Sequence, residues 1–123
     1  MAAPDFAALA NRLDDGELAL ATRFWDGALH FDVGGERTAL RFAPGQAPRV
    51  EPRPGAVGPR DVSIAAAPGE WAKLLAAVPA PFYQDVYGAA LHHPVSVGGD
   101  VETLYAYYPA IRRVLELLRE PPS

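Results

Sequence analysis

Strict alternation of apolar and polar residues over positions 27–42 constrains the fold of this chain more than any other feature. The large apolar members of the alternation are Leu29, Phe31, Val33, Leu40 and Phe42. A period of two is typical of half-buried strands, and Gly34-Gly35 between the two runs tolerates the positive φ of a tight hairpin turn. The sequence therefore predicts a β-hairpin with one apolar face and one polar face.

The residues on either side of this hairpin predict two helices and one edge strand. The helices cover residues 4–14 and 17–25, and in the second a strand is the competing prediction because nine residues cannot separate the two periods. Prolines are dense over 43–60, where they exclude a helix and a central strand but allow an edge strand at 48–52. We expect the rest of that segment to be an exposed connection.

The second half of the chain predicts further strands and helices. They are a strand over 61–67, a helix over 68–78, a helix over 82–90 and a short strand over 94–97. Asp100 is the expected N-cap of a last amphipathic helix, which Pro109 either kinks or restarts. With 123 residues and no piece large enough to fold alone, the chain is predicted to be a single domain over 1–123.

Composition excludes several classes of function. The chain has no cysteine, so it has no disulfide framework, thiolate zinc site or thiol nucleophile. A net charge of −4 disfavours nucleic acid as a partner, because phosphate binding needs a concentrated positive field. The N-terminus has neither the basic nor the apolar region of a signal peptide, and no apolar run reaches the length of a transmembrane segment. We therefore expect a cytoplasmic protein.

The candidate catalytic and metal-binding residues have simple structural explanations. His92 and His93 are expected at the entry to a strand, where adjacent side chains point to opposite faces and cannot chelate one metal ion. His30 and Asp32 fall on the polar face of the first strand, where they form either a general-base pair or ordinary exposed polarity. Gly98-Gly99-Asp100 lacks the lysine of a phosphate-binding loop and predicts a turn followed by an N-cap. No metal or cofactor is predicted.

Large aromatic side chains are numerous for so small a domain. Tyrosine combines an apolar ring with a hydroxyl that can orient a ligand. Cores and ligand pockets are built from the same residue types, so the residues alone favour a filled core.

A series of short motifs nevertheless has the order and spacing of a known family. They are Glu17-Leu18-Ala19, Asp26-Gly27, the hairpin of Leu29-Phe31-Val33 and Leu40-Phe42, Asp61-Val62-Ser63-Ile64, Trp71 with Leu74-Leu75, and Val95-Ser96-Val97-Gly98-Gly99-Asp100. Over residues 17–119 the chain thereby resembles the sterol carrier protein 2 (SCP2) sterol-binding domain family.

The resemblance implies a fold and a function. The fold is an α/β (α+β) sandwich, a mostly antiparallel five-stranded sheet covered by helices around a hydrophobic tunnel. The function is binding or carriage of a hydrophobic small molecule or lipid, without catalytic residues or cofactor. We expect the wall of the tunnel to be formed by Phe31, Leu40, Phe42, Trp71, Leu75, Phe82, Tyr83, Tyr87, Tyr105 and Tyr108.

Two other functions use the same features. A small isomerase or cyclase could act on a steroid- or polyketide-like substrate in the cavity, with His30, Asp32 or a tyrosine as acid or base. An interaction module could use the last helix to pack on a partner enzyme, or the chain could form a homodimer.

Overall fold

The computed structural model describes residues 4–76 and 86–119. In chain order its elements are α1 (Phe6–Ala10), α2 (Gly16–Thr22), β1 (Gly27–Val33), β2 (Glu36–Phe42), β3 (Arg49–Glu51), β4 (Val62–Ala66), α3 (Pro68–Leu74), α4 (Val86–His92), β5 (Val95–Gly99), α5 (Val101–Ala106) and α6 (Tyr108–Arg119). The prediction of an α+β fold with a five-stranded, mostly antiparallel sheet is confirmed.

The predicted hairpin forms the middle of this sheet, whose strand order is β3-β2-β1-β4-β5. β1 pairs antiparallel with β2, which places Leu29 opposite Leu40, and parallel with β4, which places Leu29 opposite Val62. Gly34 and Gly35 make the turn with φ angles of 60° and 95°, a region that favours glycine. The apolar residues of three neighbouring strands therefore share one face.

Helices cover that apolar face. Aromatic rings from the helices and from the sheet pack against one another between the two layers. The ring of Phe31 on β1 lies 5.1 Å from that of Phe6 on α1 and 5.8 Å from that of Trp71 on α3. The indole nitrogen of Trp71 donates a 2.9 Å hydrogen bond to the carbonyl oxygen of Asp32, so the buried donor has a partner. Trp71 thus fixes α3 to the sheet through both packing and a hydrogen bond.

A second aromatic stack lies at the other end of β1. The Trp25 ring is sandwiched between Phe42 and Tyr107, with both centroid distances at 4.7 Å. Its indole nitrogen donates to the carbonyl oxygen of Arg60 at 2.9 Å. This stack connects the end of the hairpin to the residue between α5 and α6.

Aspartates at the helix starts explain where those helices begin. Asp15 accepts a hydrogen bond from the Leu18 amide and Asp100 accepts one from Thr103, as N-cap residues do. The prediction for Asp100 is confirmed. Pro109 restarts the last helix: α5 ends at Ala106 and α6 begins at Tyr108, so the proline lies in a first turn that needs no N–H donor there.

Several boundaries differ from the predicted ones. The segment predicted as a helix over 4–14 is helical only at Phe6–Ala10. The disputed segment 17–25 contains a helix and no strand, but that helix ends at Thr22. The edge strand around Val50 is confirmed. The helix predicted over 82–90 lies partly outside the described residues, and its described part continues to His92. Gly98 and Gly99, predicted as a turn, lie in β5.

Candidate functional site

Four large side chains on α4 and α5 are exposed to solvent. Tyr87 and Leu91 lie one helical turn apart on α4, with 45% and 69% of their surface exposed. Val101 and Tyr105 lie one turn apart on α5, with 60% and 64% exposed. The nearby hydroxyl of Tyr105 raises the pKa of Tyr87, so the phenol groups of the two helices lie close to each other. We call these four residues the α4–α5 face.

Tyr108 adds a third phenol to the α4–α5 face. Its hydroxyl accepts a hydrogen bond from the Tyr87 amide at 3.3 Å, and the two rings meet edge to face at 6.4 Å. The structure therefore brings together three of the tyrosines predicted to line a cavity, beside two aliphatic residues that were not predicted.

The other predicted ligand-binding residues lie elsewhere. Phe31, Leu40, Phe42 and Trp71 are fully buried in the core between the sheet and the helices. Leu75, just after α3, is partly buried against that core. Phe82 and Tyr83 lie outside the described residues. That any of these lines a cavity stays a prediction.

Two open grooves lie on other parts of the surface. The first, of about 360 Å³, runs between the α1–α2 region and the β2–β3 connection, and Phe42 and Leu13 line it together with Pro48. The second, of about 390 Å³, has Phe24 and Tyr107 among its lining residues. Of the predicted ligand-binding residues that the structure describes, only Phe42 borders either groove. Both volumes fall in the range of small-molecule sites.

His30 is not part of an exposed polar surface and its carboxylate partner is not Asp32. The side chain is 1% exposed, and its Nε2 lies 2.8 Å from the carboxylate of Asp61, which precedes β4. Its Nδ1 lies 2.9 Å from the guanidinium of Arg37. The prediction was wrong because the proline-rich connection reaches this face, where Gly55 accepts a hydrogen bond from the same Arg37 nitrogen.

Asp61 is the residue that sequence reasoning missed at this position. Its two carboxylate oxygens accept hydrogen bonds from the amides of Ala28 and Gly58 as well as from His30. Burial alone would raise the pKa of Asp61, but these hydrogen bonds outweigh it and hold the pKa below its usual value. No local signal marks this role, because Asp61 and His30 are brought together only by the parallel pairing of β1 and β4.

The remaining chemical predictions concern metals and membranes. His92 is the last residue of α4 and not part of a strand, so the predicted strand-entry position was wrong for it. Within residues 4–76 and 86–119, no group of three or more His, Cys, Asp or Glu side chains could hold a metal ion. Across the same residues, no helix has the length and apolar character needed to cross a membrane.

The fold of this protein is similar to the folds of solved protein structures. The chain is similar to a structure described as sterol carrier protein 2, with a TM-score of 0.67 and 17% identity over 93% of this chain and 92% of that one. It is also similar to a UbiJ-SCP2 ubiquinone synthesis protein, with a TM-score of 0.58 and 15% identity over 91% and 93% of the two chains. No family model and no curated protein matches the sequence. The chain thus has an SCP2-like fold, as the resemblance implied.

Proposed function

We propose that this protein binds a hydrophobic small molecule of the lipid or sterol class and carries it without chemical change. The observation that carries the proposal is the α4–α5 face. Tyr87, Tyr105 and Tyr108 meet there beside the exposed aliphatic side chains of Leu91 and Val101. The SCP2-like fold supports the same class of ligand, since one of the similar structures is a sterol carrier.

The α4–α5 face has the composition expected for an amphipathic ligand. Single exposed apolar residues are common, but here each of two helices exposes a large aliphatic side chain one turn from an exposed tyrosine, so apolar surface and hydroxyl groups lie on the same helices. Covering such a patch with a ligand gains roughly 25 cal/mol for each Å² of apolar surface removed from water. The tyrosine hydroxyls offer donors and acceptors for the polar end of the molecule.

The geometry around His30 argues against the isomerase or cyclase alternative. A general base needs an accessible lone pair within hydrogen-bond reach of the substrate proton. Both ring nitrogens of His30 are already engaged, one with Asp61 and one with Arg37, and the ring is 1% exposed. The Asp32 carboxylate accepts a hydrogen bond from the Gly35 amide in the hairpin turn. That alternative therefore loses His30 as its acid or base and is left with Asp32 or a tyrosine.

Native mass spectrometry of the purified protein tests the proposal directly. The complex is released into organic solvent and any ligand identified, and stripped protein is then offered a panel of fatty acids, sterols and isoprenoid quinones. We expect uptake of one molecule for each chain from at least one of these lipid classes. A protein that purifies without ligand and takes up none of the panel would refute lipid binding and favour the interaction module.

A further inference from the structure

A chain of hydrogen bonds runs across the outer face of the sheet with His30 at its centre. The segment 52–60, here called the strap, is attached to both ends of this chain. At one end the carbonyl oxygen of Gly55 accepts from Nη2 of Arg37 at 2.8 Å, and at the other the Gly58 amide donates to Oδ2 of Asp61 at 2.8 Å. The same two atoms, Arg37 Nη2 and Asp61 Oδ2, contact the two ring nitrogens of His30 at 2.9 Å and 2.8 Å.

Donor and acceptor rules fix the proton on His30. Arginine only donates, so Nδ1 of His30 must accept from Arg37 with its lone pair. Nε2 then carries the single ring proton and donates it to the Asp61 carboxylate. Nη2 of Arg37 donates one hydrogen to Nδ1 of His30 and the other to the Gly55 carbonyl oxygen. No buried side-chain nitrogen or oxygen in the described part of the protein lacks a partner. The arrangement is complete only while the imidazole is neutral.

A second proton on the His30 ring would break this chain of hydrogen bonds. It would bind at Nδ1 and turn the acceptor of the Arg37 hydrogen bond into a donor that faces a guanidinium. Arg37 Nη2 would have to move away, and because the same nitrogen holds the Gly55 carbonyl, the strap would lose that attachment. The hydrogen bond from the Gly58 amide to Asp61 would lose the support of that attachment, so the Gly58 amide would open to solvent more often.

We propose that His30 is a pH-sensitive latch that holds the strap against the outer face of the sheet when neutral and releases its Gly55 end when protonated.

Other charged groups surround the latch. Those that face it from the neighbouring strands are Asp32 on β1, Arg37 and Arg41 on β2, Arg49 and Glu51 on β3, and Asp61 before β4. Arg41 and Glu51 neutralise each other through an ion pair of 3.0 Å, and the carboxylate of Asp32 is occupied by the turn amide of Gly35. The pKa of Asp61 lies below its usual value, so Asp61 stays ionised while His30 titrates. The imidazole is then the group in the chain that changes charge.

Nuclear magnetic resonance of the intact protein tests the latch. Nitrogen shifts of the His30 ring report its protonation, the Gly55 carbonyl shift reports its hydrogen bond, and hydrogen exchange of the Gly58 amide reports strap opening. We expect the His30 and Gly55 signals to titrate together, and protection at Gly58 to fall roughly tenfold between about pH 8 and pH 5 once intrinsic exchange is accounted for. The amide of Phe31, inside β1, should keep its protection.

Three variants separate the latch from general acid effects. His30→Gln retains a donor and an acceptor but cannot titrate, so the strap should stay closed at both pH values. Arg37→Met should leave the strap loose at both pH values while His30 still titrates. His93→Gln removes a different imidazole and should leave the titration of the strap unchanged.

Any of three results would refute the proposed latch. The strap could keep its protection while His30 takes up a proton, or it could open at low pH in His30→Gln as well. Protection could also fall at Phe31 and Gly58 together, which would mean general unfolding. If His30→Gln does not fold, the wild-type protein still decides the matter, because neutral His30 must show the tautomer with its proton on Nε2.

Discussion

Replacing Leu91 by serine should weaken lipid binding while leaving the fold intact. Full burial of a leucine side chain contributes about 1.5–3 kcal/mol. Leu91 is 69% exposed, so a ligand that covers it gains at most about two thirds of that amount, or roughly 1–2 kcal/mol. Since 1.4 kcal/mol is a factor of ten in affinity, the dissociation constant should rise about five- to thirty-fold.

Leu20→Ser is the matched control for this experiment. Leu20 is 62% exposed and lies on α2, which like α4 has seven residues. Both substitutions thus remove an exposed leucine from a short helix, and both cost the same intrinsic helix propensity. Titration of the protein into a fluorescent fatty-acid or sterol probe gives the dissociation constants, and urea unfolding gives the stabilities. Equal affinities for the two variants would refute the assignment of the ligand to the α4–α5 face.

Three further predictions concern the forces that hold the fold. Arg113 lowers the pKa of Asp15 to about 2 through a bidentate ion pair, so stability that the pair contributes above pH 4 is lost as pH falls towards 2. Asp15→Asn, which keeps an N-cap, should cost about 1–2 kcal/mol at pH 7 and less than about 0.5 kcal/mol at pH 2 in urea unfolding. Trp71→Ala should lower the unfolding free energy by about 3–5 kcal/mol, because the ring is fully buried; a loss under 1 kcal/mol would contradict its place in the core. Gly99→Ala should cost at least about 1–3 kcal/mol, since φ is +98° and the new Cβ would lie 2.3 Å from the carbonyl oxygen of Asp61; thermal unfolding unchanged from wild type would contradict this.

Elements with a strong local pattern could be predicted from the sequence. The hairpin followed from alternation and two glycines, and the break between α5 and α6 followed from Pro109. Helix ends were less predictable, because the stripe of apolar residues over 4–14 continues past the five residues that are helical. The backbone amide of Asn11 donates to the carbonyl oxygens of Ala8 and Leu9 in the last turn, and the helix ends there.

The environment of His30 could not be predicted because it is not a property of β1. Alternation assigns His30 to the polar face correctly, but it does not say what covers that face. The cover comes from the strap, and the partner comes from Asp61, whose position depends on β4 crossing over to pair in parallel with β1. A pattern of period two therefore predicts the direction of a side chain and not its burial.

The ligand-binding residues were harder to predict for a related reason. Phe31 and Trp71 contact each other in the core, whereas Tyr87 and Tyr105 contact each other at the surface, yet all four satisfy the same sequence criterion of a large aromatic group at helical or strand spacing. The difference between them is whether apolar surface remains uncovered after the chain has folded. Uncovered surface can still gain free energy by binding a lipid, while surface already buried between sheet and helices gains it from folding. Stability and affinity should accordingly separate, with core substitutions changing mainly the first and substitutions on the α4–α5 face mainly the second.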